Sequence, residues 1–241
     1  MNLSRRRVRA IIRKELRSYR RNASIVGAMG IVPLVFVLQP LVAVFAQSSS
    51  SSTVLSHRHE LLYMLGIPAL IPAALAAYAV VGERQQGTLE PVLSTPIRRE
   101  ELLLGKALAV LVPAVGVAYV VFGVFIGLVA LFAHRGVASA LIRGPDILAQ
   151  IIFTPLLAAW SIWVGIAIST RASDLRVAQQ LSILASLPTI ALTTLISLDV
   201  IHPTLGLALA LGAALLLANR LGWRIVSALF DRERLIVGAK G

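Results

Sequence analysis

The sequence predicts an all-α integral membrane protein with six transmembrane helices, an N-terminal amphipathic interfacial helix, and both N and C termini in the cytoplasm. Three observations carry this. Hydrophobic residues make up 57% of the 241 and charged residues only 14%, with mean hydropathy +0.83, whereas a soluble domain devotes about a quarter of its residues to charge. The apolar residues fall into six long blocks free of charge, near the roughly 20 residues that a helical span requires. Lys and Arg concentrate on alternate connections between those blocks.

The elements follow in order. In residues 1–24, Val8, Ile11, Ile12, Leu16 and Tyr19 recur at helical spacing, while Arg5, Arg6, Arg9, Arg13, Lys14, Arg17 and Arg20 fill the other faces. Glu15 lies among them. The pattern predicts a helix in the interface, with its arginines toward lipid phosphates. The spans are expected at about 25–46, 61–82, 107–133, 147–170, 177–198 and 203–218. The sixth is short and its outer end is open. The fifth contains Pro188 and is either one helix or partly re-entrant within 187–203. The connections are a serine-rich loop at 47–60, a charged stretch at 83–106, a Gly/Pro-containing loop at 134–146, short links at 171–176 and 199–202, and a charged tail at 219–241. The chain reads as a single transmembrane domain, and no cleavable signal peptide is expected.

Orientation follows from counting Lys and Arg. Residues 1–24 carry nine, 83–106 four, 171–176 two and 219–241 five, against Arg58, Arg135 and Arg143 on the other side. Such a bias puts the basic side in the cytoplasm. The formal net charge of +12 is then topogenic and lipid-directed, and no nucleic-acid partner is expected. The chain has no cysteine, which excludes disulfides, thiolate metal sites and cysteine nucleophiles. Arginine far outnumbers lysine, and Ala, Leu and Val are abundant, which points to a GC-rich bacterial genome; a multi-pass protein of the bacterial inner (cytoplasmic) membrane is expected.

Residues 83–106 differ from the other basic-side connections, because Glu83, Glu90, Glu100 and Glu101 balance Arg84, Arg98, Arg99 and Lys106. Thr88 is positioned to cap a short helix with Pro91 in its first turn. Ser94-Thr95-Pro96 breaks that helix, since the residue before proline is driven from the helical region. Thr95 then caps the next helix with Pro96 at its first position, and Glu100 and Glu101 suit that helix's positive end. The result is a short helix, a corner and a helix that re-enters the membrane.

This run resembles the signature loop of ABC-type-2 transporter permeases. There a Glu, a Gly-Thr pair and a second Glu precede a proline corner, and an acidic pair and a Gly-Lys open the next helix. Glu83, Gly87, Thr88, Glu90, Pro96, Arg99, Glu100, Gly105 and Lys106 match that pattern. The resemblance implies a coupling helix that docks on a separate cytoplasmic ABC ATPase subunit. Lys14-Glu15-Leu16 looks like the family's connecting helix, and Phe230-Asp231-Arg232-Glu233-Arg234-Leu235 resembles its C-terminal end. It further implies export by two such subunits, identical or paralogous, with ATP and Mg held by the partner and no cofactor in this chain. The outer helical hairpin that many members carry between spans five and six has no room in residues 199–202.

The chain lacks a phosphate-cradling loop: Gly105-Lys106 has neither the upstream glycine nor the following hydroxyl residue. No catalytic residue is expected. His57 and His59 lack an obvious third ligand, so no metal site is expected. The span cores contain no charge, which argues against proton- or ion-coupled transport. Gln39, Tyr63, Tyr78, Tyr119, Thr154, Ser161 and Thr193 are candidates to line a substrate route, or else bond between helices. Short outer loops and apolar walls fit a lipophilic or amphipathic cargo such as a drug, antibiotic or lipid. An ATP-independent channel or carrier, or a scaffold docking a cytoplasmic partner, are the alternatives.

Overall fold

The computed structural model describes residues 4–45, 59–87 and 97–229. Thr88, Glu90, Thr95, Pro96, the loop around His57 and the 230–235 segment lie outside the described residues. Every regular element among the described residues is a helix: α1 (Arg5–Arg21), α2 (Ala23–Phe45), α3 (Glu60–Tyr63), α4 (Gly66–Ala76), a 3-10 turn at Ala77–Ala79, α5 (Val81–Gln85), α6 (Arg99–Phe132), α7 (Arg135–Leu141), α8 (Gly144–Arg171), α9 (Leu175–Ser197) and α10 (Leu205–Leu229). Among the described residues six stretches are long and apolar enough to cross a membrane: α2 from Ile25, the broken helix α3–α5, α6, α8, α9 and α10.

The second span is the centre of the bundle. In its most apolar window 83% is buried, against 6% for α10, which lies at the periphery. α8 runs along α4 and holds α10 on its other side. This central span is interrupted twice, for identifiable reasons. Pro68 has no N–H to offer Met64 O, and the Ile67 N–H takes that carbonyl instead at 3.0 Å, so the helix restarts at Gly66. The second interruption follows Ala76. There Ser169 of α8 supplies what the backbone lacks: its Oγ donates to Ala77 O at 2.6 Å and accepts from Val80 N and Val81 N at 3.1 Å each. Inside a membrane, backbone groups freed by a break must find such partners. Ser169→Ala leaves them buried without it. The expected result is a stability loss of about 1–3 kcal/mol, read as a lower melting temperature in detergent.

Several expected boundaries shift. The helix expected to open at Pro96 and run into the third span begins at Arg99 instead, and Glu100, Glu101, Gly105 and Lys106 lie on it as expected. Its N-cap is Arg98, in extended conformation, and not Thr95 with Pro96 next. Glu101 explains the difference: at the third helical position it reaches back to accept the Arg98 N–H at 3.1 Å, half of a capping box. The fifth span is continuous through Pro188, with no re-entrant turn. α10 does not stop near 218 but continues to Leu229, carrying the exposed Arg220 and Arg224 as helical residues.

Candidate functional site

At one end of the bundle the amphipathic α1 lies against the start of α6. Its buried row is Val8, Ile11, Glu15 and Tyr19, and Arg9, Arg13 and Arg17 are exposed. Gly105 permits the approach, since a Cβ there would sit 2.7 Å from Ile11 Cγ2 and 2.8 Å from Ile11 Cβ. Glu15 is the one charged member of the buried row. Its partner is Lys106, which has no exposed surface and whose Nζ lies 3.4 Å from Glu15 Oε1 and 2.8 Å from Glu83 Oε2. Lys14, half exposed, bonds Glu83 Oε1 and lies 3.4 Å from Glu15 Oε1. Two carboxylates and two ammonium groups therefore neutralise one another where α1, α5 and α6 meet. Buried charges persist only when paired in this way.

The other root of the 83–106 stretch is tied to α1 as well. Glu101, 1% exposed, accepts from Ser4 N at 2.8 Å and from Arg7 Nη1 at 3.4 Å. On the far side of α5, Arg84 Nη1 donates to Ala172 O at 3.3 Å, and Gln85 Nε2 donates to Asp174 Oδ1 at 2.9 Å. Asp174 also caps α9 through Arg176 N at 3.2 Å. The Gln85 bond first, and then the amides of the following turn, hold its carboxyl below the usual carboxylate range. Gly87 ends this root in the left-handed region, φ 66, with its N–H on Arg84 O at 3.1 Å. Glycine adopts that conformation without steric cost.

The cluster sets a pH response. Burial alone would lower the Lys14 ammonium, but its bond to and charge attraction by Glu83, then Glu15, raise it above the ordinary 10.5. Burial, then the charges of Glu15 and Glu83, push the Tyr19 phenol well up from 10.0. Both groups favour their low-pH forms in the folded state. Their contribution is complete below those ordinary values and is lost as pH rises through the raised ones. Hydrogen-exchange protection of α1 is therefore expected to hold from neutrality to about pH 10 and to fall only above it.

Of the residues singled out in the sequence, Glu83, Gly87, Arg99, Glu100, Gly105, Lys106, Lys14 and Glu15 all lie at this end. Glu83, Lys106, Lys14 and Glu15 form one network. Thr88, Glu90 and Pro96 fall outside the described residues. The seven polar residues proposed for a substrate route have the following surroundings. Gln39 donates to Glu60 Oε2 at 3.1 Å, and Tyr63 packs on Phe36 with ring centroids 5.2 Å apart. Tyr78 lies by Gly82 near the cluster. Tyr119 donates to Ile151 O at 2.7 Å, and Thr154 and Ser161 are buried on α8. Thr193 alone of the seven lines the apolar cleft described below.

Sequence reasoning missed the contacts that depend on distant residues. Ser4 and Arg7 on Glu101 are one case. At the opposite end of the bundle His59 Nδ1 lies within hydrogen-bond distance of Asp146, 2.9 Å from Oδ1, a partner 87 residues along the chain. No group of three or more His, Asp or Glu gathers among the described residues. The only sequence signal for Ser4 and Arg7 was their place on a basic helix.

Six membrane-crossing helices, with a basic amphipathic helix clamped to both roots of one charged connection, define a polytopic membrane subunit built around that connection. The sequence model described as ABC-2 family transporter protein matches residues 9–223, and the chain belongs to that family. It is thus a multi-pass membrane protein of the permease type, and members of this family are membrane subunits that act with a partner ATPase. No curated protein matches the chain.

Proposed function

We propose that the chain is the permease subunit of an ATP-driven exporter of the bacterial inner membrane. Two copies, or one copy and a paralogue, form the translocation path. The α1 end faces the cytoplasm, where a separate ATPase carrying ATP and Mg docks on residues 83–106. The cargo is lipophilic or amphipathic, of the drug, antibiotic or lipid kind.

One observation carries this reading: both roots of the 83–106 stretch are fixed to α1, Glu83 through Lys14 and Glu101 through Ser4 and Arg7. A push on that stretch meets two fixed roots. It passes through Glu83 into the central second span, through Lys106 and Glu101 into α6, and through Gln85 and Asp174 to the start of α9. Orientation is supported by the basic termini of these elements gathering at one end, as the positive-inside rule requires. The Lys106 ammonium is held by two carboxylates, which leaves it no role in phosphate binding and supports ATP hydrolysis on a partner.

Purification of the chain with its native partner, followed by ATP-driven transport in proteoliposomes, tests the reading. Replacing Glu90 by Gln or Pro96 by Ala is expected to lower coupled transport at least about tenfold, equivalent to about 1.4 kcal/mol, with insertion in the membrane preserved. Undiminished transport by both variants, or transport without any ATPase, would remove the coupling role from this stretch.

A further inference from the structure

α9 and α10 follow one another in the chain, yet they barely touch. Between them, backed by α8 and the start of the second span, is a cleft of about 350 Å³. Leu65, Phe153, Leu192, Leu207, Leu211 and Leu215 are among the apolar side chains of its wall. The volume is at the lower end of the roughly 300–1,000 Å³ range of ligand pockets. We propose that this cleft binds one acyl chain of a bilayer phospholipid.

Three features point to a hydrocarbon occupant. The polar side chains on the wall are threonines, and two of them are already engaged: Thr193 Oγ1 donates to Ile190 O at 3.0 Å, and Thr204 Oγ1 accepts from Leu207 N at 3.2 Å. A ligand that needs hydrogen bonds gains little here, and its desolvation would go uncompensated. The rim is made of membrane-crossing helices whose neighbouring side chains, Leu187, Leu195, Leu209 and Leu216, are exposed, so the mouth opens onto lipid tails and not onto water. The wall ends at Pro203 and Thr204, beside His202, whose side chain is 77% exposed. That end lies where spans five and six are joined, which places a headgroup at the membrane surface and its chain along the cleft. The leaflet is the one remote from α1, the outer leaflet on the orientation proposed above.

The occupancy has a structural consequence. α10 is held almost entirely through α8, and a chain in the cleft supplies the dispersion contacts that α9 does not.

The test uses the full chain in nanodiscs of phosphatidylethanolamine and phosphatidylglycerol doped with a phospholipid bearing a diazirine midway along one acyl chain. After photolysis, adducts are mapped by mass spectrometry. The expected result is several-fold more adduct per residue on 188–196 and 203–218 than on the exposed face of α2 around Leu34 and Leu38. Ala208→Trp and Leu211→Trp, which fill the cleft, are expected to bring those adducts down to the α2 level. Labelling of α2 and the melting temperature check that each variant is folded. Equal labelling of cleft and α2, or undiminished cleft labelling in both filled variants, would overturn the proposal. So would cross-linking of two Leu192→Cys chains through the cleft, which would make a second copy the occupant. Displacement of the adducts by a transported compound at its working concentration would likewise assign the cleft to cargo. The measurement needs no ATPase, so its failure leaves the coupling reading standing.

Discussion

A Lys106→Met chain is expected to reach the membrane, to lose the docking of α1, and to lose most ATP-driven transport. Lys106 is fully buried and is the cation shared by Glu83 and Glu15. Without it, two buried carboxylates face each other with only the half-exposed Lys14 between them. Removing one partner of a buried ion pair costs about 3–5 kcal/mol. The bundle can shed that strain locally, because α1 packs on its edge through one short row of side chains. Undocking of α1 should therefore precede global unfolding, seen as hydrogen exchange throughout Arg5–Arg21 with the core of α8 still protected. Adding Glu83→Leu and Glu15→Leu to Lys106→Met should recover α1 protection, since a buried ion cluster replaced by apolar groups is often neutral or stabilising. Such a triple variant separates packing from signalling: restored docking with restored transport would show that only the mechanical link matters. Full α1 protection in the single variant would mean that the network does not hold the helix.

Gly165→Leu should be the most damaging single change in the bundle interior. A Cβ at this position would lie 2.7 Å from Ala76 Cβ and 3.0 Å from Ala73 O. Neither neighbour is the tip of a flexible side chain, so α8 and α4 must separate. Small residues at helix crossings are what let membrane helices approach so closely. Overpacking costs about 1–3 kcal/mol in ordinary cores, and here it also pulls Ser169 from the interrupted second span. The folded, monodisperse fraction after solubilisation is expected to fall sharply. Gly116→Leu on α6, where nothing lies within 4 Å, should leave it unchanged. Equal yields from the two variants would contradict the close crossing.

Much of the architecture was legible because membrane crossing is written in composition. Six apolar blocks and a lopsided distribution of Lys and Arg leave few alternatives. Boundaries were less legible, because charge was used to mark the ends of helices. Charge marks the end of the apolar environment, and a helix runs on through the interface. Arg220 and Arg224 lie on α10 for this reason. The cap at Arg98 was hidden because its partner, Glu101, is already inside the helix. The break after Ala76 was equally hidden, since Ser169, which makes it tolerable, is far along the chain. Of the candidate site, the sequence showed which charges are present around residues 83–106, and it set Glu15 among the charged residues of the N-terminal helix and not in its buried row. What it did not show is that Glu15, Lys14, Glu83 and Lys106 meet. That pairing depends on Gly105 letting Ile11 approach, a fact of tertiary packing.

The central claim is that α1 and the start of α6 move as one body when the ATPase acts. The cysteine-free chain suits a direct test: spin labels at the exposed positions Arg13→Cys and Arg98→Cys, with the distance between them measured by pulsed electron spin resonance in the transporting complex. With only one permease copy of the complex labelled, the expected result is one narrow distance distribution that does not change between nucleotide-free and ATP-bound states. A distance that shifts or broadens with nucleotide while transport proceeds would contradict the account.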